Sequence, residues 1–427
     1  MPSIRVRSFV QSPTFRVTVM FTLGGLGFAG ANIVLARVLS PESYAWIALL
    51  VALIQVGMVV APLGADSVVN RYRTAPTPGL VRQVLVTGLV TGLLFAVLGR
   101  TIYDLPWPIV AGLLVSIVAG GANMVAAAHY QSREAFTASL LLFQSQNAVL
   151  ILAACAAWLD PADRLWAPAA IIAAGHVVSA VVGWGSLLGE RPWLARGPYP
   201  WKASLALVGM TGATLILTQL ERVTVPRFLT LTDLATFGVL AAIVGAPFRM
   251  LQLGVGYSLV PRLRAAGTQQ ARSRLLRREG VGIAVITLAG AGVLWVLTPG
   301  VARVLLHGKY ELSESLVLAA VASGLAKVLS AFGTSVVTAI AGPRALARMN
   351  LAGWAIIAGS LPGIALGSRW GLVGVVYAVG LAWAAQGAVA FALGAPALYV
   401  GHASGGETLE PLGTGARNGC GEPVAKP

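Results

Sequence analysis

Two cations interrupt long apolar stretches of this chain. Arg249 lies inside the stretch 234–260 and Lys327 inside 314–341. A charge at the centre of a bilayer costs roughly 2.5–3.5 kcal/mol on insertion scales, so such residues are usually kept for function. Read as helices, the segments place Lys327 on a stripe with Ala320, Ser323, Gly324, Ser330, Ala331 and Thr334. Arg249 falls with Ala242, Gly245, Ala246, Gln252 and Gly256. Both stripes are small and polar, so both cations are expected to face away from lipid. Glu221 is expected nearer the outer end of its segment and Asp66 nearer the inner end of its own. No carboxylate is therefore expected at the depth of either cation. Two unpaired cations facing a cavity would attract an anion: Arg holds phosphate through paired donors, Lys as a point charge. The competing reading is structural, with each cation neutralised by a buried carboxylate.

Gln144, Gln146 and Asn147 sit at mid-depth of another apolar stretch, and Gln144 and Asn147, three apart, share a face. They could hydrogen-bond a sugar or bind neighbouring helices, and the sequence leaves both open. Asn32, Gln55, Asn123 and His176 are weaker candidates of the same kind. Glu221 and Arg222 are adjacent, so they project about 100° apart and need not pair with each other. Glu221 could bind a coupling proton or sodium ion. Asp66 could do the same or anchor the inner interface. No Walker A pattern is present, and four His with few carboxylates assemble no nucleophile–base–acid set. Cys155 and Cys420 form no framework. An enzyme, a metal site and a cofactor are not expected.

The elements that must position these residues follow from composition. Of 427 residues, 57% are hydrophobic and 11% charged, against about 25% charged in soluble domains. The mean hydropathy is +0.79. An all-α polytopic membrane protein is expected, with helices near 16–37, 44–70, 82–100, 107–129, 136–159, 165–188, 203–227, 234–260, 280–303, 314–341, 346–367 and 371–399. The first, from Val17 to Ala36, is long enough to span and lacks an A-x-A cleavage site, so it is read as retained. With the N-terminus cytoplasmic, twenty of the 30 Lys and Arg fall on the inner side and eight on the outer. Both termini are therefore expected in the cytoplasm. The net charge of +15 then marks helix ends rather than nucleic-acid binding. The stretch Pro261–Glu279 reads as a basic amphipathic segment lying at the headgroups, and residues 402–427 as a disordered tail.

A shift of 190 residues aligns the halves without a gap. Arg37 falls on Arg227, Leu39 on Leu229, Ser40 on Thr230, Ala45 on Ala235, Leu50 on Leu240, Ala52 on Ala242, Leu63 on Leu253 and Gly64 on Gly254. Two six-helix bundles are expected, 1–195 and 196–401, joined through ERPWLARGPYPW. Parallel repeats of this kind place a substrate between the halves near mid-membrane and alternate access by rocking.

The stretch ARVLSPESYAWIALLVALIQVGMVVAPLGADSVVNRYR (Ala36–Arg73) resembles the first block of polysaccharide-biosynthesis flippases. QLERVTVPRFL (Gln219–Leu229), Pro261–Leu263, LLHGKY (Leu305–Tyr310), AIAGPRALARMN (Ala339–Asn350) and RWGLVGVVYA (Arg369–Ala378) resemble later blocks in order. Arg37, Gly64, Arg227 and Gly254 stand at motif positions. His307 replaces the family's Phe, and Trp46 a small or apolar residue. The family is the Wzx-like branch of the MOP flippase superfamily, which also holds MATE exporters and MurJ-type lipid II flippases. The resemblance implies twelve helices around a cationic cavity. It also implies a polyprenyl-diphosphate-linked oligosaccharide moved from the cytoplasmic to the outer leaflet of a bacterial inner membrane. Arg249, Lys327 and Arg222 would then meet the diphosphate, and Gln144 and Asn147 the sugar. H+ or Na+ coupling through Glu221 or Asp66 and partnership with polymerase and export components are further expectations. A drug or metabolite cation antiporter of the same fold would want a mid-membrane carboxylate instead. A saccharide polymerase or ligase would want a large outer loop.

Overall fold

The computed structural model describes residues 13–73, 78–160, 165–188 and 201–399. Arg5 and Arg7, the linker residues 190–200 with the boundary at 195, Arg164, and the tail with Cys420 lie outside the described residues.

The helices are α1 (Pro13–Val38), α2 (Pro41–Val60), α3 (Ala65–Tyr72), α4 (Pro78–Tyr103), α5 (Trp107–Ser132), α6 (Phe136–Leu159) and α7 (Trp166–Leu188). They continue as α8 (Trp201–Phe228), α9 (Leu231–Leu240), α10 (Ala246–Ala265), α11 (Gln269–Leu306), α12 (Glu314–Ile340), α13 (Pro343–Gly367) and α14 (Gly371–Tyr399). A π-helical turn, Ala241–Gly245, joins α9 to α10. Counting α2 with α3 and α9 with α10, the described residues make twelve helical units, as the apolar stretches predict. Among the described residues, nine stretches are long and apolar enough to cross a membrane by length and composition. The chain is a multi-pass membrane protein.

Helix starts follow local chemistry. Ser40 caps α2 by accepting from the Ser43 amide at 3.2 Å. Its repeat partner Thr230 caps α9, accepting from the Asp233 amide at 3.2 Å while Asp233 accepts from the Thr230 amide at 3.0 Å. Both satisfy amides that a helix start leaves without partners. The 190-residue offset thus carries an N-cap onto an N-cap. Packing repeats as well: α5 lies along α7, and α12 lies along α14. Between these groups, α2 packs against both α8 and α9, and α1 against α10. Helix α2 is apolar on every side and buried along most of its length, as a central helix must be. By contrast, α11 exposes Val285, Leu288, Trp295, Val296 and Val304, a surface suited to lipid.

Two expectations need correction. The predicted helix 44–70 breaks after Val60, where Leu63 and Gly64 take positive φ (44° and 78°). Pro62 contributes no amide to continue the helix. The stretch 261–279 is not one amphipathic segment but is divided between two helices. Helix α10 runs through Pro261 to Ala265. Helix α11 then starts behind the cap of Thr268, whose hydroxyl accepts from the Ala271 amide. The good helix formers of Gln269–Glu279 carry that start into one 38-residue rod.

Gly64 and Gly254 occupy equivalent repeat positions with different physics. A Cβ on Gly64 would lie 2.4 Å from the Ser204 carbonyl oxygen, on backbone already at φ +78°. A Cβ on Gly254 would meet nothing within 4 Å. Left-handed backbone costs a residue with a side chain about 1–2 kcal/mol before any clash. Gly64→Ala is expected to lower the thermal midpoint of the purified protein by several degrees. Gly254→Ala should leave it unchanged or raise it, since alanine gains about 1 kcal/mol in a helix. Equal midpoints for the two variants would refute this contrast.

Candidate functional site

A cavity lies where α1, α2, α6, α8, α10 and α12 converge. Its lining includes Phe28 from α1, Gln55 from α2, and Gln144, Gln146 and Asn147 from α6. Gln219, Glu221 and Arg222 come from α8, Arg249 and Gln252 from α10, and Lys327 from α12. All five residues predicted to bind substrate therefore border one space.

The π turn helps to aim Arg249. Pro247 cannot donate an amide to the carbonyl four residues back, and the turn just before it is the one that widens. Ala241 and Gly245 of that turn, with Ala246, line the same cavity. The extra residue in the turn rephases α10 against α9, and Arg249 faces inward two residues after the proline.

Phe28 gathers the charge. The Arg222 guanidinium carbon lies 5.4 Å from its ring centroid and that of Arg249 5.8 Å. Both distances fit cation–π attraction. Arg222 is 7% exposed. Among the described residues neither arginine has an ion-pair partner, so both keep donors for an incoming anion.

Lys327 is different, and the expectation that it lacks a carboxylate is overturned. Its Nζ lies 2.7 Å from Glu221 Oε1. Counting residues from helix ends placed Glu221 too far from Lys327 in depth. Side chains lean toward the N-terminus of their own helix. As seventh and tenth of the successive crossings, α8 and α12 run in opposite senses, so the two side chains lean toward each other. Among the described residues, the cavity is thus lined by three cations and one carboxylate, an excess of two positive charges.

The polar residues are partly engaged already. Asn147 Nδ2 donates to Gln144 Oε1, and Gln219 Nε2 donates to Gln55 Oε1 across the α8–α2 contact. Asn32 binds the Tyr44 hydroxyl and the Phe28 carbonyl, and Asn123 binds the Leu142 carbonyl. Those two serve packing. Asp66 lies elsewhere, in a separate pocket with Asn70, Gln131 and Ser139, accepting from Ser67 Oγ at 3.3 Å. Arg37 lies over Trp158 at 5.4 Å and Arg227 is exposed; neither borders the central cavity. Sequence reasoning missed Phe28, whose type in an apolar helix signals only packing.

The end of α1 is clamped beyond the cavity. Lys309 Nζ donates to the carbonyls of Ala36 (2.9 Å), Arg37 (3.4 Å) and Leu39. These acceptors cluster at a helix C-terminus, where a cation also meets the favourable end of the macrodipole. Tyr310 donates to Ala36 and packs edge-on against Tyr44 at 6.5 Å. Burial holds the Tyr310 hydroxyl above the ordinary tyrosine range, so it stays a donor. Tyr103 likewise joins the end of α4 to the Val223 carbonyl of α8 at 2.8 Å. Lys309→Ala removes three hydrogen bonds and is expected to loosen this closure. A cysteine labelling assay at Ala36 should then show several-fold faster modification than in the unsubstituted background. Unchanged labelling would show that Lys309 does not hold the end of α1.

No family model matches the chain, and no curated protein is similar to it in sequence. Solved structures do share its fold. An inward-facing multidrug resistance MATE family transporter of the MOP superfamily superposes with a TM-score of 0.66 at 14% identity, over 88% of this chain and 94% of that one. The lipid II flippase MurJ, in an inward closed conformation, superposes with a TM-score of 0.62 at 12% identity, over 91% of each chain. A MATE structure in the straight conformation gives 0.54 at 14% identity, over 90% of this chain and 95% of that one. The chain has the fold of these transporters and flippases, and the expected all-α architecture is met.

Proposed function

We propose that the protein is a flippase. It carries a polyprenyl-diphosphate-linked oligosaccharide from the cytoplasmic to the outer leaflet of a bacterial inner membrane, with both termini in the cytoplasm. The carrying observation is the excess of two positive charges in the central cavity, held by Arg222 and Arg249 around Phe28. A diphosphate esterified at both ends bears two negative charges at neutral pH, which this excess balances. Each charge-assisted bond to a buried anion is worth about 1.5–3 kcal/mol. Gln144, Gln146 and Asn147 border the same space and offer amides to sugar hydroxyls. Movement of 1–195 against 196–401 would alternate access. The paired packing of α5 with α7 and α12 with α14 supports two such halves. Coupling to H+ or Na+, and delivery to polymerase and export components, complete the reading.

A cation antiporter would need an available carboxylate. Glu221 borders the cavity, but its charge is spent on Lys327.

Mass spectrometry of lipids retained by the gently purified protein tests the proposal. A polyprenyl-diphosphate saccharide is expected from the wild type, with loss of that lipid from Arg249→Ala. A retained small organic cation, unaffected by Arg249→Ala, would overturn the reading.

A further inference from the structure

His176 on α7 is 6% exposed and takes no part in the site described above. Its Nδ1 lies 2.7 Å from the Ile172 carbonyl. A carbonyl only accepts, so Nδ1 carries the proton, and Nε2 of the neutral ring is left as a bare acceptor. That Nε2 is buried and has no hydrogen-bond partner. Leaving such an acceptor unmet is costly, about 1–3 kcal/mol. The ring's Cδ2 side faces α5, lying 3.4 Å from where a Cβ on Gly120 would stand. His176 also lines a small side pocket. This pocket adjoins the central cavity. The two share Phe28, Gln55, Gln146 and Asn147 as walls.

We infer that His176 Nε2 is a proton-binding site served from the central cavity, and that its proton is taken up together with the anionic substrate. The inference rests on the flippase reading and deepens it by linking substrate binding at that site to a proton. Imidazole is the side chain whose ordinary charge change falls near neutrality. Among the described residues, the side pocket brings no competing titratable group. Against α7 stand Val51, Ile54 and Gln55 of α2, Gly120 of α5, and Gln146, Asn147, Val149 and Leu150 of α6. The charged groups among the described residues that line the adjoining cavity are Arg222, Arg249 and the Glu221–Lys327 pair. Two unpaired arginines repel a proton on the ring, and a bound dianion offsets them. Anion and proton binding are then linked, and linkage is reciprocal. Gln146 and Asn147 border both the cavity and the side pocket. The proton adds to the Nε2 lone pair and leaves from the same atom, so no other reactant is needed.

The test uses the full-length protein in detergent and P1,P2-diethyl diphosphate, whose phosphates stay fully ionised across the neutral range. Calorimetry in buffers of different ionisation enthalpy counts protons taken up on binding. Wild type is expected to take up protons near neutrality and to bind at least about fivefold tighter near pH 5.5 than near pH 8. His176→Gln and His176→Asn should bind as wild type does near pH 8 but lose both the uptake and the pH dependence. Wild-type binding without proton uptake would overturn the inference, as would uptake that persists in both variants. No wild-type binding at any pH would instead overturn the anion-cavity reading. If neither variant folds, 15N-histidine spectra of the wild type decide. Adding the probe should move one buried Nε2 from the bare to the protonated range, and four unmoved histidines would refute the assignment.

Discussion

Arg222→Ala and Arg249→Ala should each abolish translocation while leaving the protein folded in the membrane. Each guanidinium is held over Phe28 and forms no ion pair with a described residue, so its removal breaks no salt bridge. The cost falls on the ligand. Losing one charge-assisted contact to a phosphate should weaken binding by about 1.5–3 kcal/mol, roughly ten- to a hundredfold. Arg→Lys at either position restores the charge but not the paired donors, and should recover only part of the affinity. Binding of a soluble diphosphate diester, measured beside size-exclusion profiles, separates the two effects. Unaltered affinity in both alanine variants would remove the arginines from the site.

Lys327→Ala should behave in the opposite way. Its partner Glu221 has a side chain only 2% exposed. Removing the lysine leaves a buried carboxylate without its counter-charge, a change that costs about 3–5 kcal/mol in comparable pairs. The single variant is expected to give little folded protein. Removing both charges, as Glu221→Gln with Lys327→Met, should restore folding, because the penalty belongs to the stranded charge and not to the pair. The double variant keeps Arg222 and Arg249, so it should still bind a diphosphate diester within about tenfold of wild type. A single variant as stable as wild type would show that the pair does not support the fold. A stable double variant that loses binding entirely would return Lys327 to the substrate contacts.

The sequence made much of this legible. Apolar stretches and basic ends located the helical units, because in a bilayer length and charge are the dominant constraints. The stripes of small residues around Arg249 and Lys327 pointed both side chains inward correctly. The 190-residue offset also matched Ser40 to Thr230, which the structure shows to be N-caps of corresponding helices. Pairing was less legible. Depth counted along single helices ignores side-chain reach and lean, and so the contact of Glu221 with Lys327 was missed. Phe28 was missed because its role arises only when α8 and α10 bring two guanidinium groups to one ring. The kink at Pro62–Gly64 and the unbroken start of α11 turned on local capping and backbone sign, which hydropathy does not register. Equivalent positions in a repeat are also not equal in energy, as Gly64 and Gly254 show.

Reconstituted translocation tests the central claim most directly. Proteoliposomes carrying a polyprenyl-diphosphate-linked saccharide on one leaflet are sampled with a membrane-impermeant lectin on the other. Wild type is expected to expose the saccharide well above the rate in empty liposomes, and Arg249→Ala is not. Exposure no faster than in empty liposomes, from vesicles of the same preparation that exchange an organic cation, would contradict it.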